Sequence, residues 1–324
     1  MTNIQEIARL AGVSTTTVSR VINQHPYVNE TKRKEILKII ERLDYVPNSS
    51  AKSLKKGMTR IIGVLTGIYT NLSTSFIQAF NASAQKYGFN VMLFITNGDR
   101  QQELVALEML RSKQLDALVC LFRTNEWDVI ESYAKYGPIV TWQRLVSDMI
   151  PSVFMDQYQG YMLGLEYLYT KGYRRIANVF SSKGLNTPER IRAFNDFAFK
   201  YQLKADEFPD FHDKFTIFDG EEVARWWMKQ TNRPDAIACS NDNVAAGLLT
   251  ELRRSGFSTP DDIGILGFDN TDLAHLLDLT TIHYPANKQA ENAVYIILDM
   301  LGQHVSEVHV LEFELIERKS TKSS

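Results

Sequence analysis

From Arg60 onward, continuous apolar runs alternate with amphipathic stretches, and this alternation constrains the fold more than any other feature of the chain. RIIGVLTG, FNVMLFIT and DALVCLF read as strands buried on both faces, since their apolar residues do not alternate with polar ones. Between and after them, apolar residues recur at helical spacing over about 75–87, 101–113 and 127–135. PIVTW and SVFMD add two expected strands. Strands joined by helical crossovers run parallel, so a sheet covered by helices on both faces is expected.

The pattern then repeats. Helices are expected over 158–171, 188–202, 220–230 and 244–255, with strands RRIANVFS, PDAIACS and DIGILGF between them. TTIHY, a helix over 286–301 and a strand VHVLEFELIE complete the chain. The two sets, roughly 60–150 and 151–285, suggest two α/β lobes with a cleft between them, the last helix and strand crossing back. Ligands in such sheets sit at the carboxyl ends of strands. Here those ends carry Trp142, Gln143, Arg144, Asn241, Asp242, Asp269 and Asn270, among others. Aromatics, amides, carboxylates and arginine converging on a cleft suit a sugar, nucleoside or similar polyhydroxylated solute, although each could instead cap a helix or tie a loop.

The first sixty residues differ in kind. Ile4, Ile7, Ala8 and Ala11 form one helical stripe, Gly12-Val13 breaks it, and Ser14 offers an N-cap to a second short helix. That helix buries Val18, Val21 and Ile22 and turns Thr15, Thr16, Thr17, Ser19 and Arg20 largely outward. Ile36, Ile39, Ile40 and Leu43 on a third helix complete a small core, with Lys32, Arg33, Lys34, Lys38 and Arg42 on its outer side. Two short helices joined by a glycine-containing turn can set the second helix in a DNA major groove. Residues 1–60 hold 11 Lys+Arg against 5 Asp+Glu, whereas the other 264 hold 25 against 33. A basic head on an acidic body is suited to phosphate contacts, which release counterions. Pro47 ends the third helix. The short basic segment that follows, with the single apolar Leu54, reads either as a linker or as a helix that forms only on DNA.

Several chemistries are excluded as readings. No phosphate loop, dinucleotide fingerprint or nucleophile elbow occurs, and the six histidines are scattered rather than set at metal-ligand spacing. No enzyme activity and no cofactor are expected. Cys120 and Cys239 sit in apolar strand-like runs and read as reduced core thiols. The absence of an export signal or membrane span points to the cytoplasm, on the nucleoid, with no membrane partner.

These motifs together resemble the lactose-repressor (LacI) family of bacterial transcription regulators over essentially the whole length. Ala8, Ala11, Gly12, Val13, Ser14, Thr17, Val18, Ser19, Arg20, Val21 and Asn23 match its A-x-x-A-G-V-S-x-x-T-V-S-R-V-x-N signature. YVPN with Ala51-Lys52-Ser53-Leu54 resembles its hinge, with lysine where arginine is usual. RIRAF, SNDNVAAG, TPDDIGILGFDN, LTTIHYP and LIERKS follow in the family's order. The resemblance implies an all-α helix-turn-helix head (1–47), a hinge (48–59) and a periplasmic-binding-protein-like core (60–324) of two doubly wound parallel-sheet lobes. It also implies a homodimeric repressor of carbohydrate-utilisation genes on a palindromic double-stranded operator, switched by a small molecule. By family position Thr15, Thr16 and Arg20 reach bases, Ser14, Thr17, Ser19 and Asn23 contact phosphate or cap, and Leu54 wedges into the minor groove between Lys52 and Lys55.

For the effector, the resemblance points to Arg190, Asn241 and Asp269, with Phe215 as a stacking aromatic and Tyr69, Gln143 and Arg144 around the cleft. The family's N-P-F-F segment reads Asn71-Leu72-Ser73-Thr74 here, and its D-R reads Gln143-Arg144. A sugar or sugar phosphate is the expected effector, with Arg144 and Lys183 available to an anionic group. A purine-type co-repressor, and a solute-binding protein of a transport system, stand as alternatives.

Overall fold

The computed structural model describes residues 3–46, 57–67, 71–181, 186–304 and 307–323. Lys52, Leu54, Lys55, Tyr69 and Lys183, singled out above, lie outside the described residues. The chain forms two compact units, Met1–Arg60 and Ile61–Ser324.

In the first unit, α1 (Ile4–Leu10), α2 (Thr15–Ile22) and α3 (Glu30–Arg42) enclose Ile7, Ala8, Ala11, Val18, Val21, Ile36 and Ile39. Each helix is started by a side chain that accepts from its orphan amides. Asn3 accepts from Glu6, Ser14 from Thr17, and Asn29 from Thr31 and Lys32. Between α1 and α2, Gly12 takes φ +64°, which a residue with a Cβ adopts only under strain.

The second unit holds two sheets. The first runs β2-β1-β3-β4, all parallel, from β1 (Ile61–Thr66), β2 (Asn90–Ile95), β3 (Ala117–Cys120) and β4 (Ile139–Thr141). Helices α4 (Asn71–Lys86), α5 (Arg100–Arg111) and α6 (Trp127–Glu131) lie on its crossovers. The second sheet runs β5-β6-β7-β8-β9, from β5 (Ile176–Val179), β6 (Ala236–Cys239), β7 (Gly264–Asp269), β8 (Thr281–His283) and β9 (Glu314–Ile316). Its helices are α7 (Gln157–Thr170), α8 (Thr187–Tyr201), α9 (Ile217–Lys229), α10 (Asp242–Arg254) and α11 (Asp272–Leu276). The last helix, α12 (Ala286–Met300), packs back on α4 of the first lobe, and β9 then returns to the second sheet. Gln289 on α12 also donates to the Val153 carbonyl in the segment between the lobes, at 2.6 Å.

Four expectations change. The second sheet is not wholly parallel, because β9 runs antiparallel to β8. The expected strand over 308–317 shrinks to Glu314–Ile316, and Val308 and Val310 ahead of it are exposed. SVFMD contributes one bridging residue, Ser152 beside Thr141, instead of a strand. The stretch 127–135 breaks after α6, where the Ser132 hydroxyl donates to the Val129 carbonyl, and continues as a 3₁₀ turn at Ala134–Tyr136.

The closest helix crossing pins the second lobe. A Cβ on Gly247 of α10 would lie 1.9 Å from the Ile217 carbonyl oxygen, and one on Gly220 of α9 would lie 2.1 Å from that of Val244. Below this crossing Trp227, Ile237, Leu248, Leu249 and Ile265 form the core. Cys120 and Cys239 are free and buried, and burial pushes both thiols well above their ordinary pKa, leaving them inert.

Candidate nucleic-acid interface and ligand-binding cleft

The outer face of α2 carries the head's candidate contacts. Val18 and Val21 point into the core, which by helical geometry leaves Thr15, Thr16 and Arg20 exposed. Among the described residues the Arg20 guanidinium has no hydrogen bond or ion pair. Its neighbours are engaged locally: the Ser14 and Thr17 hydroxyls lie 3.0 Å apart, and Asn23 Nδ2 donates to the Ser19 carbonyl at 2.8 Å. Two of the five α3 cations also have structural partners. Lys32 donates to the Ala11 carbonyl and pairs with Glu35, and Arg33 donates to the His25 carbonyl. Lys34, Lys38 and Arg42 remain exposed.

In the second unit the strand ends assemble a polar floor around Arg190. This residue is 7 % exposed and lies 4.1 Å from the Phe268 ring, with Tyr161 on another side. Its Nε and Nη2 donate to Gln157 Oε1 at 3.2 and 2.8 Å, and Nη1 donates to the Ser240 carbonyl at 2.8 Å. Asp269 ends β7 with φ +103° and sits beside Arg190 without an ion pair. Burial raises its acid well above the ordinary carboxylate range; Asp242 adds to the rise and Arg190 opposes it. Asp242, fully buried at the start of α10, accepts from Thr271 N (2.7 Å), Thr271 Oγ1 (3.0 Å) and Thr281 Oγ1 (2.7 Å). Desolvation nonetheless raises it to about 6. Gly267 leaves it room: a Cβ there would come 2.3 Å from Asp242 Oδ1.

The other expected contacts divide. Asn241 Oδ1 caps α10 through Val244 N at 2.9 Å, so its carbonyl is structural and its amide nitrogen keeps capacity. Gln143 Nε2 donates to the Leu121 carbonyl at 2.9 Å, leaving Oε1 buried with no partner among the described residues. Arg144 departs from the anion-binding expectation. Its guanidinium crosses from the first lobe to Glu189 on α8 at 3.1 Å, and Glu189 also pairs with Arg192. Phe215 is exposed, its backbone N–H held by Asp219 ahead of α9. The sequence reading did not assign Gln157, Ser240 or Phe268, which hold Arg190, nor the cluster in which Trp142 meets Phe76 and Phe122 edge-on at 5.3 and 5.4 Å. A depression of about 610 Å³ lies along α8, beside Ile191, Asn195 and His212.

Comparison with known proteins places this geometry. Residues 3–48 match the model of bacterial regulatory proteins of the lacI family, and residues 165–321 match a periplasmic binding protein-like domain. The HTH-type transcriptional regulator YkvZ of Bacillus subtilis is 33% identical over 322 residues, covering 99% of this chain and 100% of that protein. The chain belongs to the LacI family. The HTH-type transcriptional repressor PurR of Vibrio atlanticus is 30% identical over 334 residues, covering 100% of this chain and 99% of that protein. A LacI family regulator from Lactobacillus casei, solved with bound glucose, is 27% identical at TM-score 0.73, covering 81% of this chain and 99% of its own. The Lac repressor dimer bound to operator shares the fold at TM-score 0.84 over 99% of both chains, at 22% identity. The family makes this chain a DNA-binding transcription regulator and not an enzyme. No helix among the described residues is long and apolar enough to cross a membrane, and none of their His, Cys, Asp and Glu side chains cluster as a metal site.

Proposed function

We propose that this LacI-family regulator represses transcription as a homodimer on a near-palindromic operator, and that a polyhydroxylated small molecule in the cleft around Arg190 and Asp269 switches it. The observation that carries the DNA reading is Arg20, exposed and unpaired among the described residues, one helical turn from Thr16 on α2. A guanidinium in this position can make a bidentate contact with guanine, and threonine can donate, accept or touch a thymine methyl. Ser14, Thr17, Ser19 and Asn23 fix the helix start or contact phosphate. Repression is supported by relatives named as repressors.

Residues 1–47 then read the operator, 48–59 act as the hinge and 60–324 form the effector core. Lys52 and Lys55 contact phosphates there and Leu54 wedges into the minor groove, as the family resemblance implies. Arg190, Asn241, Asp269 and Gln143 face the ligand, with Tyr69 and Phe215 at its margin and Arg144 joining the lobes. A sugar is supported by the Lactobacillus casei relative with bound glucose. Switching requires the ligand to prefer one lobe arrangement over the other by the free energy of coupling, which is typically ~1–3 kcal/mol.

Selection of binding sites from random duplex DNA tests the first part: a palindrome should emerge, and no preferred sequence would refute it. Leu54→Ala should lower specific affinity with the dimer intact; unchanged operator affinity would remove the wedge. A thermal-shift screen of sugars, sugar phosphates and nucleobases tests the second part, because a ligand of the folded state raises its melting temperature.

A further inference from the structure

We propose that Asp242, aided by Thr281 and Arg318, is a positioning residue of the effector site. It holds the turn Asp269–Thr271 in a left-handed conformation and thereby sets where the Asp269 side chain stands beside Arg190. This rests on reading Asp269 as an effector contact, and it names residues that act without touching the ligand.

The backbone of the turn motivates the assignment. Asp269 takes φ +103° and Asn270 φ +53°, the one place among the described residues where two consecutive non-glycine residues both have positive φ. Asparagine tolerates this region because its short side chain bonds locally. Asp269 lies well beyond the usual left-handed value of about +57°. A conformation of this kind persists where the surroundings impose it, and such places cluster at ligand clamps and switch segments.

Three elements impose it here. From α10, the fully buried Asp242 accepts from Thr271 N at 2.7 Å and from Thr271 Oγ1 at 3.0 Å. From β8, Thr281 Oγ1 donates to the other Asp242 oxygen at 2.7 Å and accepts from Asn270 N at 3.3 Å. From the segment after β9, Arg318 Nη2 donates to Asn270 Oδ1 at 2.8 Å, while its Nη1 is fixed on the Leu279 carbonyl at 2.8 Å. Thr271 is the N-cap of α11, where a threonine hydroxyl ordinarily accepts from the helix's own amides. It makes no such bond, and its hydroxyl donates to Asp242 instead. Asp242 is itself the first residue of α10, directly after the cap Asn241. The helix start that carries Asn241 therefore also dictates the placement of Asp269.

Paired substitutions read this clamp without any ligand. Where φ is forced positive glycine is favoured over alanine, and where the chain can relax it is not. In the full chain Asp269→Gly should melt about 2–4 °C above Asp269→Ala, and adding Thr281→Val or Asp242→Asn should close the gap. A residue that merely stabilises the core would lower both melting temperatures alike. No gap in the intact clamp, or a gap undiminished in the clamp variants, overturns the proposal. Hydrogen exchange supplies the location: in Thr281→Val and Arg318→Gln, residues 269–276 should exchange about tenfold faster with β6 unchanged. No rise, or an equal rise throughout the second lobe, also overturns it. Should Asp242→Asn not fold, Thr281→Val and Arg318→Gln decide. The underlying reading fails separately: glucose binding that Asp269→Ala leaves unchanged would remove Asp269 from the effector site, with the melting and exchange results unaffected.

Discussion

Replacing Arg190 by methionine separates its structural role from any role in ligand contact. The aliphatic stem and its packing beside Phe268 are largely retained, but the guanidinium is removed from a site that is 7 % exposed. Two acceptors lose their donor, Gln157 Oε1 at 2.8 Å and the Ser240 carbonyl at 2.8 Å. A buried acceptor left without a partner costs ~1–3 kcal/mol, so the pair costs ~2–6 kcal/mol before the loss of the charge facing Asp269. Against total stabilities of ~5–15 kcal/mol this is a large fraction. For a unit of this size it should lower the core's melting temperature by on the order of 10 °C. Differential scanning calorimetry of the unliganded full chain measures the core transition directly. Glu189→Gln, one position earlier on α8 and partly exposed in its ion pair with Arg144, is the control, expected within ~1 kcal/mol of wild type. A methionine variant that melts within a degree or two of wild type would refute the claim that Arg190 braces α7 and β6 to α8.

Two further outcomes follow from the second lobe. Gly247→Ala should cost at least ~1–3 kcal/mol, because its Cβ would meet the Ile217 carbonyl and the two helices must part; an unchanged denaturant midpoint would contradict that crossing. Asp242 and Asp269 both have raised acids, so in the window from the ordinary carboxylate range up to about 6 the folded core binds protons more readily than the unfolded chain. These carboxylates therefore stabilise the core as pH is lowered through about 6, against an opposing loss from His283, whose burial holds its imidazole below the ordinary range, and the carboxylate part of the profile should disappear from Asp242→Asn in proportion. Asp219 and Asp278, held below the ordinary range, lose their contribution only at more acidic pH. An Asp242→Asn protein whose melting temperature changes between about pH 7.5 and 5.5 by the same amount as wild type would contradict the sign.

Parallel strands such as β1, β3 and β6 were legible because they are buried on both faces, so IIGVLT, ALVC and AIAC are apolar without interruption, whereas the edge strand β2, expected to be buried likewise, is only half-buried with Ile95 exposed. The chain's last strand misled for the opposite reason. VHVLEFELIE alternates as a strand should, yet only Glu314–Ile316 finds a neighbour, in β8. The helix α11 was not anticipated. It is five residues long, follows two positive-φ residues, Asp269 and Asn270, and Asp242 grips the Thr271 ahead of it from α10. Hydrophobic periodicity carries no signal for such a distant anchor.

The candidate site was legible in part. Arg190, Asn241 and Asp269 were named as candidates from family motifs, and the fold sets Asp269 beside Arg190 and makes Asn241 the cap of α10. Their surroundings could not be read, since Gln157 is an ordinary residue at a helix start and Phe268 an ordinary strand phenylalanine until the fold brings both against Arg190. Arg144 shows the converse: an arginine at a strand end suggests an anion site, whereas its partner Glu189 lies on the other lobe.

The central claim is that α2 reads operator sequence, and salt-dependent binding of the full chain to a selected palindrome tests it most directly. Fluorescence anisotropy should give a steep fall of log affinity with log salt, and a preference over scrambled duplex on the order of a thousandfold or more. Arg20→Ala should remove ~1–3 kcal/mol of that preference per half-site, by relaxing one base position in each. Equal affinity for palindrome and scrambled duplex at every salt concentration, or an Arg20→Ala protein with undiminished preference, would contradict the account.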